Sequence, residues 1–161
     1  MQKDAQMKIK SSFYALLVLA CTTLLLGGCS APQVKIDLSS TAALNMNQDQ
    51  EPLPVVVNIY QLSDKKAFEN ASFEELWKSD LTVLSNSLLR KDTLTLDPAS
   101  QQKLVLEKND QARYVGIMAA FRQQPDDTWK ILKKIDRSFL WMDLSTTVTA
   151  LLKEHHIEVK N

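Results

Sequence analysis

Glycine, cysteine and histidine are all scarce in this chain, and each scarcity removes a class of chemistry. Of three glycines, Gly27 and Gly28 are adjacent and Gly116 stands alone, so no glycine-rich loop can cradle a phosphate. The two cysteines, Cys21 and Cys29, both lie near the start, which excludes a zinc-type spacing. The two histidines, His155 and His156, are neighbours. On a strand they point to opposite faces and cannot jointly grip one ion. No serine sits in a strand-to-helix elbow, and the acid pairs Glu74–Glu75 and Asp126–Asp127 fall on a predicted helix surface and in a turn. No catalytic, cofactor or metal set emerges, and the chain reads as a non-enzyme.

What is present begins with a leader. Lys8 and Lys10 precede an apolar run from Phe13 to Leu26, followed by Gly27, Gly28 and Cys29. This is the layout of a secretory signal. The run is under about 18 residues, is interrupted by Thr22 and Thr23, and ends in two glycines, which argues against a spanning helix. Leu26 to Cys29 resembles a lipobox, in which the cysteine thiol forms a thioether to diacylglycerol and becomes the first residue after cleavage. Val18 to Cys21 forms a rival box. Using Cys21 would expose Leu24 to Leu26 on the mature tail and cut the apolar region to about eight residues, near the lower limit for a signal. Cys29 is therefore the expected lipidation site, with a signal peptide over 1–28 and one domain over 29–161. Ser30 follows it, and by resemblance to bacterial lipoproteins a residue other than Asp there implies the outer membrane. Of 19 basic and 19 acidic residues, Lys3, Lys8, Lys10 and Asp4 leave with the leader, so 16 face 18. That balance gives no case for nucleic acid or an anionic membrane surface. With Cys21 lost and Cys29 acylated, no thiol remains for a disulfide.

After a short tether, Val34, Ile36 and Leu38 alternate with Lys35, Asp37 and Ser39 as in a half-buried strand. Thr41 to Pro54 is a polar loop of a length usually functional or disordered. Val55 to Leu62 is apolar on both faces, as expected of a central strand covered on both sides. Ser63 to Arg90 changes period: Phe73, Leu76, Trp77, Leu81, Leu84 and Leu88 recur at threes and fours, behind a Ser72/Glu75 capping box. That stripe predicts core packing on a helix in two pieces, with a break near Asp80 and a shorter turn over 65–70. From Asp92 the period returns to two. Short strands follow around Leu94 and Leu104, and a second central strand over Tyr114 to Phe121, where Gly116 lets a neighbour come close. Trp129, Ile131 and Ile135 form an edge with Lys130 and Lys134 pointing the other way, and Thr146 to Val159 closes the fold. The sum is an all-β sandwich with a helical insertion over about 63–90.

The lipobox, Leu44 and Asn45 in the loop, Pro54 to Leu62, Phe73 with Leu76, Asp80 with Leu84, Leu94 to Pro98, and Tyr114 to Arg122 before Trp129 together resemble one family. It is the outer-membrane lipoprotein of the type VI secretion system, TssJ (SciN). Tyr60-Gln61-Leu62 and Gly116 to Arg122 are the most specific segments. The resemblance implies a transthyretin-like β-sandwich and no enzymatic activity. It also implies a tether between the outer membrane and the periplasmic C-terminal region of the TssM inner-membrane component. The contact it implies is the loop between the first two strands: Ala43, Leu44, Asn45, Met46, Asn47, Gln48, Asp49, Gln50, Glu51 and Pro52. Cutting Asn45 to Gln50 down to a short turn is expected to leave the fold intact. Departures from the family are Met46 in place of Pro, Asn58 in place of Arg, and Ser85 and Ala99 in place of Gly, all expected in loops or on surfaces. A competing class is a ligand-binding lipoprotein in which Trp77, Trp129 or Trp141 stacks on a sugar or peptidoglycan fragment.

Overall fold

Strand alternation and one helical excursion account for nearly all of the regular structure. A computed structural model describes residues 31–124, 126, 128–135 and 145–160. The signal peptide over 1–28, Cys29, Ser30, Asp127 and Trp141 lie outside the described residues. The strands are Gln33–Ser40 (β1), Val55–Leu62 (β2), Leu88–Leu96 (β3), Gln101–Glu107 (β4), Tyr114–Ala119 (β5), Lys130–Lys134 (β6), Thr146–Lys153 (β7) and His156–Val159 (β8). Two helices, Lys66–Asn70 (α1) and Phe73–Leu84 (α2), and a single 3-10 turn, Ser85–Ser87, separate β2 from β3.

The strands form two four-stranded sheets, ordered β4-β1-β7-β8 and β3-β2-β5-β6. This is the all-β, transthyretin-like sandwich with a small helical insertion that the sequence implied. Within the sheets β1 and β7 run parallel and every other pair is antiparallel. In the first sheet the alternation of β1 turns Val34, Ile36 and Leu38 into the core, joined by Val148, Ala150 and Leu152 of β7. In the second sheet Val55, Val57, Ile59 and Gln61 line the sandwich interior. The opposite face of β2, carrying Asn58, Tyr60 and Leu62, is equally buried because the helical excursion covers it. The doubly apolar pattern of β2 thus has two different causes, a facing sheet and a helix pair.

Gly116 makes that cover possible. It pairs with Tyr60 across the sheet, and a Cβ placed on it would come within 2.8 Å of the Phe68 ring. Phe68 packs at 5.8 Å, tilted, on Tyr60. Helix α2 begins at a full capping box: Ser72 Oγ accepts from the Glu75 N–H, and the Glu75 carboxylate accepts from the Ser72 N–H at 2.8 Å. The hydrogen bonds from Ser72 hold the Glu75 carboxyl below its ordinary pKa. Ser79 then leaves helical geometry (φ −144°, ψ 28°), next to the expected break.

Three sequence expectations are revised. Trp77 and Leu81 do not pack inward but stand 46% and 65% exposed. The buried stripe is Leu76, Asp80 and Leu84, and Asp80 takes the inward place because polar partners await it. Tyr60 donates its hydroxyl to Asp80 at 2.9 Å, and the Lys91 ammonium lies 2.5 Å from the same oxygen. Burial first, then the Asp80 bond, pushes the Tyr60 phenol well above its usual range. Second, Leu88 to Arg90 belong to β3 rather than to the helix, since Ser85 turns the chain at φ 42° and Leu88 pairs with Leu62. Third, Asn58 is buried, accepting at Oδ1 from the Thr93 hydroxyl at 2.8 Å. Lys130 faces away from the sandwich core, as expected, and finds partners there. It donates to the Phe68, Glu69 and Ala71 carbonyls at the end of α1, as a cation at a helix C-terminus should.

The register sets two distinct ends. The β1–β2, β3–β4, β5–β6 and β7–β8 connections gather at one of them. At the other, the chain enters β1, the Lys108 N–H donates to the Pro32 carbonyl, and the helical excursion leaves β2 and returns to β3. Gln61, 1% exposed, crosses the sandwich there: its amide donates to the Glu107 carbonyl and accepts from the Asn109 N–H, both at 2.8 Å.

Candidate partner-binding loop

Apart from Leu44, Thr41 to Pro54 buries little apolar side chain, so much of its order comes from hydrogen bonds. Asn45 supplies them. At φ 50° it occupies the left-handed region that Asn tolerates better than most residues. Its N–H donates to the Glu154 carbonyl in the β7–β8 turn, its Nδ2 to the Pro54 carbonyl, and its Oδ1 accepts from the Arg122 N–H. One side chain and one amide thus brace the loop against both sheets. Leu44 beside it is fully buried and its carbonyl accepts from the Leu53 N–H, closing the loop's neck.

Beyond the neck the tip is held by Asn47. Its Oδ1 accepts from the Asp49 and Glu51 N–H groups at 2.9 and 2.8 Å, and its Nδ2 donates to the Glu51 carboxylate. A backbone bond from the Asn47 N–H to the Glu51 carbonyl completes the turn. Such an Asx-type turn fixes backbone that would otherwise be free. It leaves Gln48, Asp49, Gln50, Glu51 and Pro52 exposed, with Ala43, Met46 and Asn47 half-buried. The ten implied contact residues therefore divide by environment: Leu44 and Asn45 are inside the neck, and the others reach the surface. The bracing role of Asn45 revises the expectation that Asn45 to Gln50 can be excised together without harm to the fold. Nothing in the sequence showed that a polar loop residue would hold three distant segments.

Among the described residues, neither Trp77 nor Trp129 lines a comparable site. Trp129 is buried edge-on against Phe73 at 5.3 Å, which ties the start of α2 to the strand below. Among the described residues, open cavities of about 730 and 210 Å3 are lined chiefly by polar residues such as Arg90, Glu107 and Asn109, or Asp37, Gln102 and Lys103, with no tryptophan in either.

Two four-stranded sheets, with a helical excursion covering one of them and a braced loop at one end, define a transthyretin-like β-sandwich. A family model described as type VI secretion lipoprotein, VasD, EvfM, TssJ matches residues 32–160. The chain belongs to this TssJ (SciN) family of type VI secretion lipoproteins. It is similar to the T6SS lipoprotein TssJ1 from Pseudomonas aeruginosa, with a TM-score of 0.72 and 21% identity over 81% of this chain and 96% of that one. It is similar to Serratia marcescens Lip, a membrane bound component of the Type VI Secretion System, with a TM-score of 0.73 and 20% identity over 80% and 97%. A third match, with a TM-score of 0.67 and 22% identity over 80% and 98%, is a chain of the structure described as the T6SS protein TssM C-terminal domain from EAEC. At these identities the structural likenesses establish the fold. No curated protein matches the chain at a comparable level of significance.

Proposed function

We propose that this protein is a non-catalytic tether. Cys29 carries acyl chains in the outer membrane, the sandwich stands in the periplasm, and the Ala43–Pro52 loop binds the periplasmic C-terminal region of a TssM-like inner-membrane protein. The observation that supports this reading is the course of β1, which begins four residues after Cys29 in the sequence and ends where the loop begins. The chain leaves the proposed anchor and enters β1 at Gln33, and the loop begins where β1 ends at Ser40. Eight extended residues separate the ends by about 26 Å. Family membership and the match to a chain in the TssM C-terminal domain structure support the choice of partner.

The physics of each end suits its part. Acylation contributes about 0.8 kcal/mol per buried methylene, so two or more long chains hold far more firmly than the marginal grip of one. At the other end the loop is ordered before it meets a partner, which lowers the entropic cost of association. Leu44 and Asn45 then position the tip, and contact falls to Met46 through Pro52. Half-buried Met46 is the apolar residue best placed to press into a partner.

The test is cell fractionation with a secretion assay on Cys29→Ser. The tether requires the variant to leave the membrane fraction and secretion to stop. Secretion that persists with an unanchored protein contradicts it.

A further inference from the structure

The near-neutral composition conceals a separation of charge along the sandwich. At the end where the chain enters β1, the register places Lys65, Lys66, Arg90, Arg113, Lys133 and Lys134, all exposed. Lys65 and Arg90 are paired with Glu69 and Asp92. Among the described residues Lys66, Arg113, Lys133 and Lys134 make no ion pair. Among the described residues the exposed and unpaired acids at that end are Asp64, Glu107 and Asp110. The loop end is the reverse: Asp49, Glu51, Asp97, Asp126 and Glu154 are exposed there against Arg122 and a Lys153 already paired with Glu158. The basic residues come from the start of α1 and from three different stretches of the second sheet and its turns, so no long run in the sequence announces them.

Geometry gives the basic end a place. If Cys29 is acylated, which this inference takes from the proposed function, only Ser30, Ala31 and Pro32 separate the anchor from β1. Four extended residues reach at most about 14 Å. The Debye length at physiological salt is about 8 Å. The tether is short enough to let the basic end come within that range of an anionic surface; with the basic end there, the acidic end, a strand length further along, lies beyond it.

We infer that the basic end of the sandwich seats on the anionic phospholipid headgroups of the membrane that holds Cys29, so that the domain stands upright with its loop presented away from the bilayer. The acyl chains supply retention, and the lysines and arginines supply orientation. Lys66 of α1 and Lys133 and Lys134 of β6 come from two separate elements, so their joint contact fixes a tilt that a single-point anchor leaves free.

The experiment uses the full lipidated protein reconstituted into vesicles of phosphatidylcholine alone or with about a third phosphatidylglycerol, and reads amine acetylation of individual lysines by mass spectrometry. Acetylation of Lys66, Lys133 and Lys134 is expected to slow at least about threefold in the anionic vesicles, and to recover when salt is raised from about 0.1 to about 0.5 M. Lys103 and Lys153, nearer the loop end, keep the same rate throughout. Equal rates in both vesicle types, with the protein still sedimenting with the vesicles, overturn the seating and leave the anchor intact. Protein that fails to sediment overturns the anchor and the seating together.

Discussion

Replacing Gly116 with Ala should unsettle the helical excursion, and the structure sets the size of the effect. The added Cβ meets Phe68 Cε2 at 2.8 Å and Cζ at 2.9 Å. Carbon atoms in contact prefer about 3.5–4.0 Å, so the ring must withdraw by roughly 0.6 Å or more. It has little room: Tyr60 lies on it at 5.8 Å, and the Lys130 ammonium sits 5.7 Å from its centroid while bound to three carbonyls of the same segment. Overpacking of this kind costs about 1–3 kcal/mol, offset by about 0.5–1 kcal/mol because Ala loses less backbone entropy than Gly in a strand. A net loss of about 0.5–2 kcal/mol is expected as a lower urea midpoint with an unchanged slope. Phe68→Leu relieves the clash, so its cost in the Gly116→Ala background should fall below its cost alone by at least about 0.5 kcal/mol. Gly116→Ala at wild-type stability, or an additive cycle, refutes the account of why this strand carries glycine.

Ser85 and Ala99 both take positive φ, 42° and 51°. Each is exposed, so Ser85→Gly and Ala99→Gly should each raise the unfolding free energy by about 0.5–1 kcal/mol in denaturant titrations. Gln61→Leu fills the same space but strips partners from the Glu107 carbonyl and the Asn109 amide; a loss of about 1–3 kcal/mol in the same titrations is expected. The cap's hydrogen bonds from Ser72 hold the Glu75 carboxyl below its ordinary range. Its contribution is therefore complete above the unfolded value and lost as pH falls through the folded one. Acidification from about pH 6 to pH 3 should cost the wild type stability that Glu75→Gln, still able to cap but unable to ionise, does not lose.

Local pattern made much of the fold legible. The alternation of β1, the doubly apolar β2 and β5 and the capping box before α2 are all short-range signals, and each marks a real element. What escaped depends on segments distant in sequence. Asp80 reads as a surface residue until Tyr60 and Lys91 are placed around it, and its inward turn is what sends Trp77 and Leu81 to solvent. Lys130 reads as pointing away from the core, but its partners show only once α1 ends above it. Leu88 fits a helical spacing because α2 already placed Leu84 four residues earlier, yet the left-handed Ser85 breaks the period first. The loop was legible as a loop, but its division into a neck and a tip was not, since the partners of Asn45 lie at Pro54, Arg122 and Glu154. Charge was the least legible property, because totals over the chain average two ends that differ in sign.

The central claim, that the loop end grips a TssM-like partner, is tested most directly by titration. Detergent-solubilised lipoprotein is compared with a variant in which Met46 to Gln50 are replaced by a short Gly/Ser turn and Leu44 and Asn45 are kept. The titrant is the periplasmic C-terminal region of the TssM-like protein. The account predicts a Kd at least tenfold weaker, about 1.4 kcal/mol, at an unchanged unfolding midpoint. An unchanged Kd for the folded variant contradicts it.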